Sequence, residues 1–304
     1  MAIFLISYST KEFYLSQKRL GKSAKENGIL NIINFNCIWL KYFDRSFYQK
    51  NKKVLNHVKG AGYWLWKPYI ILKALHKMQT HDHLLYLDAG IEICTPIHEL
   101  IKICDENSGI LLFSTFGNKN KYWTKRETFI GMNCDKKEFH DVFQLEAGMI
   151  MLKKTSESIR LISDWLENCL KFELLNDKTC VSKCFKGFKA HRYDQSILTI
   201  LAVKYGITPI RSPHQYTNNL KLLRFRIEGE YLDKREDLPH YIRGCYAPEE
   251  KAIHNSNYGT LFNLHRTKKH IGPKNIYLSL LIHLGMLIHA FTTEKWLKMP
   301  KPNE

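Results

Sequence analysis

Acidic side chains are scarce in this 304-residue chain: 29 Asp and Glu against 46 Lys and Arg leave a formal charge of +17 at pH 7. Such an imbalance selects anionic partners without selecting a fold: nucleic acid, an anionic membrane surface, or a phosphate-rich substrate. The eight cysteines include no CxxC pair, and the closest two, Cys180 and Cys184, have no histidine pair nearby. That argues against a zinc site or a disulfide framework, and for free thiols in a reducing cytoplasm. Cys37, Cys94, Cys104 and Cys169 fall in apolar periodic stretches, where a thiol packs as a small hydrophobe. Long apolar runs are missing too. Ile276 to Phe291 is 16 residues with two histidines, short of the roughly 20 that a bilayer span needs. Met1–Tyr8 has no basic residue and soon turns polar, so it reads as a first strand rather than a signal peptide. There is no internal repeat or low-complexity tract. With 44% hydrophobic and 25% charged residues, the composition excludes a disordered chain, a fibrous repeat and a multi-pass membrane protein.

What is present is alternation. Short apolar runs at Ala2–Ile6, Leu30–Phe35, Leu84–Leu87, Ile110–Ser114, Met149–Leu152 and Ile207–Ile210 predict strands. Helical patterns lie between them. Pro68 suits a first helical turn leading into Tyr69–Met78. Thr155 or Ser156 can cap a helix carrying Ile159, Ile162, Trp165 and Cys169 on one face. Asp194 opens Gln195–Tyr205, and Gly206 supplies its stop. Strands alternating with helices predict an α/β layer architecture with a mainly parallel sheet. Residues 211–275 lose this periodicity and read as long loops.

Four stretches carry candidate chemistry. Leu84-Leu85-Tyr86-Leu87-Asp88-Ala89-Gly90-Ile91-Glu92 is an apolar strand ending in a carboxylate and a glycine, at the sheet edge where open α/β folds bind ligands. If the backbone stays extended, Asp88, Gly90 and Glu92 share a face. Asp88 and Glu92 could then hold Mg²⁺ or Mn²⁺ against a diphosphate, because hard cations prefer carboxylate and phosphate oxygens. Upstream, Gly60-Ala61-Gly62-Tyr63-Trp64-Leu65-Trp66-Lys67-Pro68 sets aromatic platforms and a lysine before a helix start, an arrangement suited to an anion. Downstream, Glu146-Ala147-Gly148 precedes a strand, and His191-Arg192-Tyr193-Asp194-Gln195-Ser196 opens a helix. Taken singly, each carboxylate also fits a structural role.

In this order the motifs resemble the nucleotide-sugar-dependent glycosyltransferases of GT-A fold, especially bacterial enzymes of lipopolysaccharide and capsule synthesis. The resemblance covers roughly residues 1–210. It implies a Rossmann-like, mainly parallel sheet flanked by helices in a catalytic domain, followed by an irregular and helical extension over 211–304. It further implies donor binding by Ser7 and Tyr8 on the first strand, by Trp66 and Lys67, by Asp88 and Gly90, and by Gln195. Gly90 stands where the family's second acid would be, so a requirement for Mn²⁺ or Mg²⁺ is open. A late histidine, His254 or His265, would complete a metal site. Asp88, Glu146 and Asp194 are the catalytic candidates, with either Glu146 or Asp194 as general base.

The reading implied is transfer of a sugar, UDP-linked, from a nucleotide-diphosphate donor to a glycan or lipid-linked acceptor in surface polysaccharide synthesis. The enzyme would be cytoplasmic, or peripheral on the inner face of the plasma membrane, with no nucleic-acid partner. Two rivals remain. One is a basic nucleic-acid-binding protein, although no helix-turn-helix, RNA-recognition or zinc-finger signature is present. The other is an inactive scaffold of the same fold. The tail from Ile276, flanked by Lys295, Lys298 and Lys301, is read either as an in-plane helix on an anionic leaflet or as a helix docked on the core.

Overall fold

The computed structural model describes residues 1–178, 182–215, 258–265 and 276–300. The chain divides into two compact units: Met1–Ile110 with Gly148–Ser163 and Leu261–Glu304, and Leu111–Ala147 with Asp164–Thr260.

The first unit holds neighbouring strands in the order β2-β1-β3-β6, β6 with its Gly148–Lys153 part. Here β1 is Ile3–Ser9, β2 Asn31–Asn36, β3 His83–Leu87 and β6 Phe143–Lys153. β1 pairs in parallel with β2 (Ile6 opposite Ile33) and with β3 (Ile6 opposite Tyr86). The Met149–Lys153 half of β6 runs antiparallel to β3. All five residues of β3 are buried, as expected of a strand covered on both faces, whose sequence reads as a continuous apolar run. α1 (Tyr14–Glu26) and α3 (Trp66–Lys77) pack on these strands, α3 through Ile70, Ile71, Ala74 and Leu75. Pro68 is the third residue of α3, in the first turn, where its missing N–H costs no helical hydrogen bond. Between α2 (Arg45–Leu55) and α3, five consecutive residues from Gly60 to Trp64 have positive φ and form one left-handed turn. α4 (His98–Glu106) follows β4 (Ile91–Ile93). β4 pairs antiparallel with β8 (Phe262–Leu264), and both strands are too short for periodicity to disclose.

In the second unit β5 (Ile110–Lys119) pairs in parallel with β7, which is only Ile210–Arg211 rather than the expected Ile207–Ile210. β6 starts at Phe143, not Met149. The mixed α/β architecture with a mainly parallel sheet flanked by helices is as expected. α5 (Ser156–Leu170) begins with a reciprocal cap: the Ser158 amide donates to Thr155 Oγ1 at 3.2 Å and the Thr155 amide to Ser158 Oγ at 3.0 Å. α6 (Tyr193–Lys204) is apolar nearly all round and correspondingly buried. It ends at Gly206, whose φ of +65° suits a glycine stop.

Two thiol expectations need correction. Cys94 is exposed, because it lies just past the end of β4 rather than in the core. Cys184 is disulfide-bonded, in a turn-rich segment without the CxxC spacing that would have announced it. Cys104, Cys134 and Cys169 are thiols buried as small hydrophobes, and burial pushes the Cys104 thiol up to about 12.

The last helix, α7 (Ile276–Lys298), docks on the first unit against β2 and the π-helical turn Trp39–Phe43. Ile282, Met286, Ala290 and Thr293 are buried. Asn36 Nδ2 donates to the Met286 carbonyl at 2.9 Å, and Trp39 Nε1 to Glu294 at 3.0 Å. Gly285 is required, because a Cβ there would lie 1.9 Å from the Tyr14 hydroxyl. Among the described residues no helix is long and apolar enough to cross a membrane.

Candidate active site

Asp88 follows directly on β3, at the carboxyl end of a strand in a parallel pair with β1. Three features fix its carboxylate. The Tyr86 hydroxyl donates to Asp88 Oδ1 at 2.6 Å, from two residues earlier on the same strand face. The Lys67 ammonium stands 3.4 Å from the same oxygen. Gly148 on β6 lies against Oδ2, and its carbonyl accepts the Asp88 amide hydrogen at 2.9 Å. Lys67 is 3% exposed, whereas the Asp88 side chain is 39% exposed. A desolvated cation thus sits behind a carboxylate that solvent and ligands can reach. Lys67 Nζ also lies 5.9 Å from the Trp66 ring centroid and 5.5 Å from that of Tyr86, within cation–π range.

The other residues expected at the donor are placed as follows. Tyr8 and Trp66 stack on each other, with centroids 3.8 Å apart and planes 16° off parallel. Both rings are buried, and burial raises the Tyr8 hydroxyl well above the usual phenol range. Trp66 Nε1 donates to the Gly60 carbonyl, which ties the ring to the left-handed turn. Ser7 is fully buried; its hydroxyl donates to Asn34 Oδ1 and accepts from Gln17 Nε2. Of the residues expected at the donor, Lys67 meets Asp88 and Tyr8 meets Trp66.

Gly90 and Glu92 acquire a partner that sequence reasoning left undecided. The His265 amide donates to the Gly90 carbonyl at 2.6 Å, and His265 Nε2 lies 2.7 Å from Glu92 Oε2. His254 lies outside the described residues. Asp88 Oδ1 is occupied by Tyr86 and Lys67, the Glu92 carboxylate is turned to His265, and Gly90 has no side chain to offer. Among the described residues no three His, Cys, Asp or Glu side chains gather as a metal site would require.

In the second unit, Glu146 Oε1 is 2.9 Å from His214 Nε2. Glu146 stands two residues before Gly148 on β6, and so on the same face of that strand. Asp194 is buried in the first turn of α6, where its carbonyl accepts from Trp165 Nε1 at 2.8 Å. It is not the N-cap, a position held by Arg192. Gln195 Nε2 donates to Gln144 Oε1 at 2.6 Å, while the Gln144 amide donates in turn to Ser196 Oγ and the Trp123 carbonyl. Arg192 lies 4.2 Å over the Trp123 ring.

Sequence reasoning missed Tyr86, His214 and Gln144. The period of two already put Tyr86 on the Asp88 face, which was a usable signal. Nothing local marks His214, which comes from a stretch without periodicity.

No family model matches the chain, and no curated protein matches it. Among solved structures it is similar to mouse xyloside xylosyltransferase 1 in its apo form, at 13% sequence identity and a TM-score of 0.45, with 88% of this chain and 98% of that one covered.

Proposed function

We propose that this chain is a glycosyltransferase that moves a sugar from a nucleotide-diphosphate donor, UDP-linked, to a hydroxyl of a glycan or lipid-linked acceptor in surface polysaccharide synthesis. The observation that carries the reading is the Lys67–Asp88–Tyr86 cluster at the carboxyl end of β3. A buried ammonium offers a fixed positive charge where the departing diphosphate develops negative charge, and in a desolvated site that interaction is strengthened. Asp88 anchors the ammonium and presents an exposed carboxylate oxygen to a donor sugar hydroxyl. Tyr8 and Trp66, stacked on each other beside Lys67, are assigned to the donor.

The chemistry is a displacement at the anomeric carbon. The acceptor oxygen forms a bond to that carbon while the bond to the diphosphate oxygen breaks, and the electron pair leaves with the diphosphate. The acceptor proton passes to Glu146, the base this reading favours because His214 orients its carboxylate at 2.9 Å. Asp194 and Gln195 are assigned to the donor sugar, Gln195 in the orientation that Gln144 imposes. No step is routed through a divalent cation.

The test is thermal stabilisation by a panel of nucleotide sugars, with and without Mn²⁺. A donor at about a hundredfold over its Kd adds about 2.7 kcal/mol to the native state, which raises the melting temperature by several degrees. The gain should vanish in Lys67→Met. If no nucleotide sugar stabilises the native protein, the reading is wrong.

A further inference from the structure

α7 is apolar on two opposite sides, and the described residues cover one of them. At 100° per residue, Ile282, Met286, Ala290 and Thr293 form the side packed into the first unit. Tyr277, Leu280, Leu281, Leu284, Ile288 and Phe291 fall about 180° away, and all six are exposed. An apolar ridge about 21 Å long results. Ordinary surfaces scatter their exposed hydrophobes, and a contiguous ridge marks a binding face.

Charge identifies the partner. On the same outward face, the turns after Phe291 carry Lys295 and Lys298, both exposed. The π-helical turn that α7 packs against adds Lys41 and the exposed Tyr42, with the Lys41 ammonium 5.4 Å from the Tyr42 ring centroid. Phe43 of that turn meets Phe291 edge-on at 5.0 Å, so the two aromatic edges adjoin. Glu294, the acid within α7, is tied to Trp39 and Lys298. An apolar ridge rimmed by lysines, with a tyrosine at its margin, has the composition of a helix lying in the plane of a membrane interface. A second copy of this chain would bring another +17 to the contact; an anionic lipid surface would neutralise it.

We infer that the outward face of α7 docks on an anionic lipid surface, with Leu284 and Ile288 at the acyl boundary and Lys295 and Lys298 among the headgroups. The helix is not long and apolar enough to cross a bilayer, and its other side is packed on the first unit, so the protein lies on the membrane through this exposed ridge. This inference is independent of the proposed reaction.

Vesicle co-sedimentation of the full chain tests it, using phosphatidylcholine alone and phosphatidylcholine mixed with phosphatidylserine. The protein should partition onto the mixed vesicles only, and raised salt should weaken binding. Lys295→Ala combined with Lys298→Ala should lower the partition coefficient about 25-fold at low salt, about fivefold per cation. Leu284→Glu combined with Ile288→Glu should abolish binding with the melting temperature unchanged, because both side chains are exposed. Absence of binding to the mixed vesicles overturns the inference, as does equal binding to both kinds. It is also overturned if light scattering shows a dimer that the glutamate pair makes monomeric, which would give the face to a second copy.

Discussion

Gly148 on β6 leaves room for Asp88: a methyl group at Gly148 would stand 3.0 Å from Asp88 Oδ2 and 3.3 Å from its carboxyl carbon. Because the carboxylate is partly exposed, it can give way without the strand moving. Gly148→Ala should therefore swing Asp88 off Tyr86 and Lys67 rather than unfold the protein. A displacement of about 1 Å at a reacting group can cost about a hundredfold in rate. Turnover should fall by that order while the melting temperature stays within a few degrees. Undiminished turnover would show that the position of the carboxylate is immaterial.

His191 gives the second unit a pH dependence. Burial first, then the nearby Lys125, push its imidazole down to about 3. In the neutral ring Nε2–H donates to the Leu174 carbonyl at 2.9 Å, and Nδ1 faces the Lys125 amide at 3.3 Å. Between about pH 6.5 and about pH 3 the unfolded chain binds a proton that the folded one refuses. Stability from this group is therefore present above pH 6.5 and is lost as pH falls, by about 1.4 kcal/mol per unit. Urea titrations of wild type and His191→Asn across this range should differ in slope by that amount. Parallel slopes would remove His191 as the cause.

The left-handed turn from Gly60 to Trp64 stores strain where a non-glycine residue occupies it. Ala61 has a φ of +49°, which costs an L-residue about 1–2 kcal/mol. Ala61→Gly should stabilise by roughly 1 kcal/mol. Gly62 behaves oppositely: its φ is +101°, and a Cβ there would lie 2.6 Å from the Leu55 Cα, a backbone atom that cannot move aside cheaply. Gly62→Ala should destabilise by more than about 2 kcal/mol, and because Trp66 Nε1 is bonded to Gly60 the Tyr8–Trp66 stack should loosen with it. Chemical denaturation with tryptophan fluorescence reads both effects.

Periodicity made much of this architecture legible. β1, β3, α3 and α6 announce themselves because a buried strand is a continuous apolar run, and because Pro68 and Gly206 punctuate helix ends. β4 and β8 escaped, since three residues carry no period, and each depends on a partner some 170 positions away in the chain. The site divides similarly. Asp88 and Lys67 were visible as strand-end and helix-start residues. Two other pairings, Glu92 with His265 and Glu146 with His214, join distant segments through tertiary contact alone. Cys184 belongs to the same class, for no spacing rule reports a disulfide partner.

The remaining prediction turns on sign. If a divalent cation bridged Asp88 to the donor diphosphate, Asp88→Asn would delete a ligand and weaken diphosphate binding. With Lys67 as the resident cation, Asp88 is instead a negative charge beside an anionic ligand, 3.4 Å from the ammonium it partly neutralises. Removing that charge should tighten binding of a free nucleoside diphosphate while turnover drops, because the carboxylate no longer positions the ammonium or the sugar. Lys67→Met should do the reverse to affinity. A charge-assisted hydrogen bond of about 1.5–3 kcal/mol is lost, so Kd should rise roughly 10- to 150-fold. Calorimetric titration with a nucleoside diphosphate, in chelator and again in Mn²⁺, separates the cases without needing the acceptor. The expected result is the same affinity in both buffers, raised by Asp88→Asn and lowered by Lys67→Met. Affinity that depends on Mn²⁺ and collapses in Asp88→Asn would return the role to a metal ion and make Lys67 its neighbour rather than its substitute.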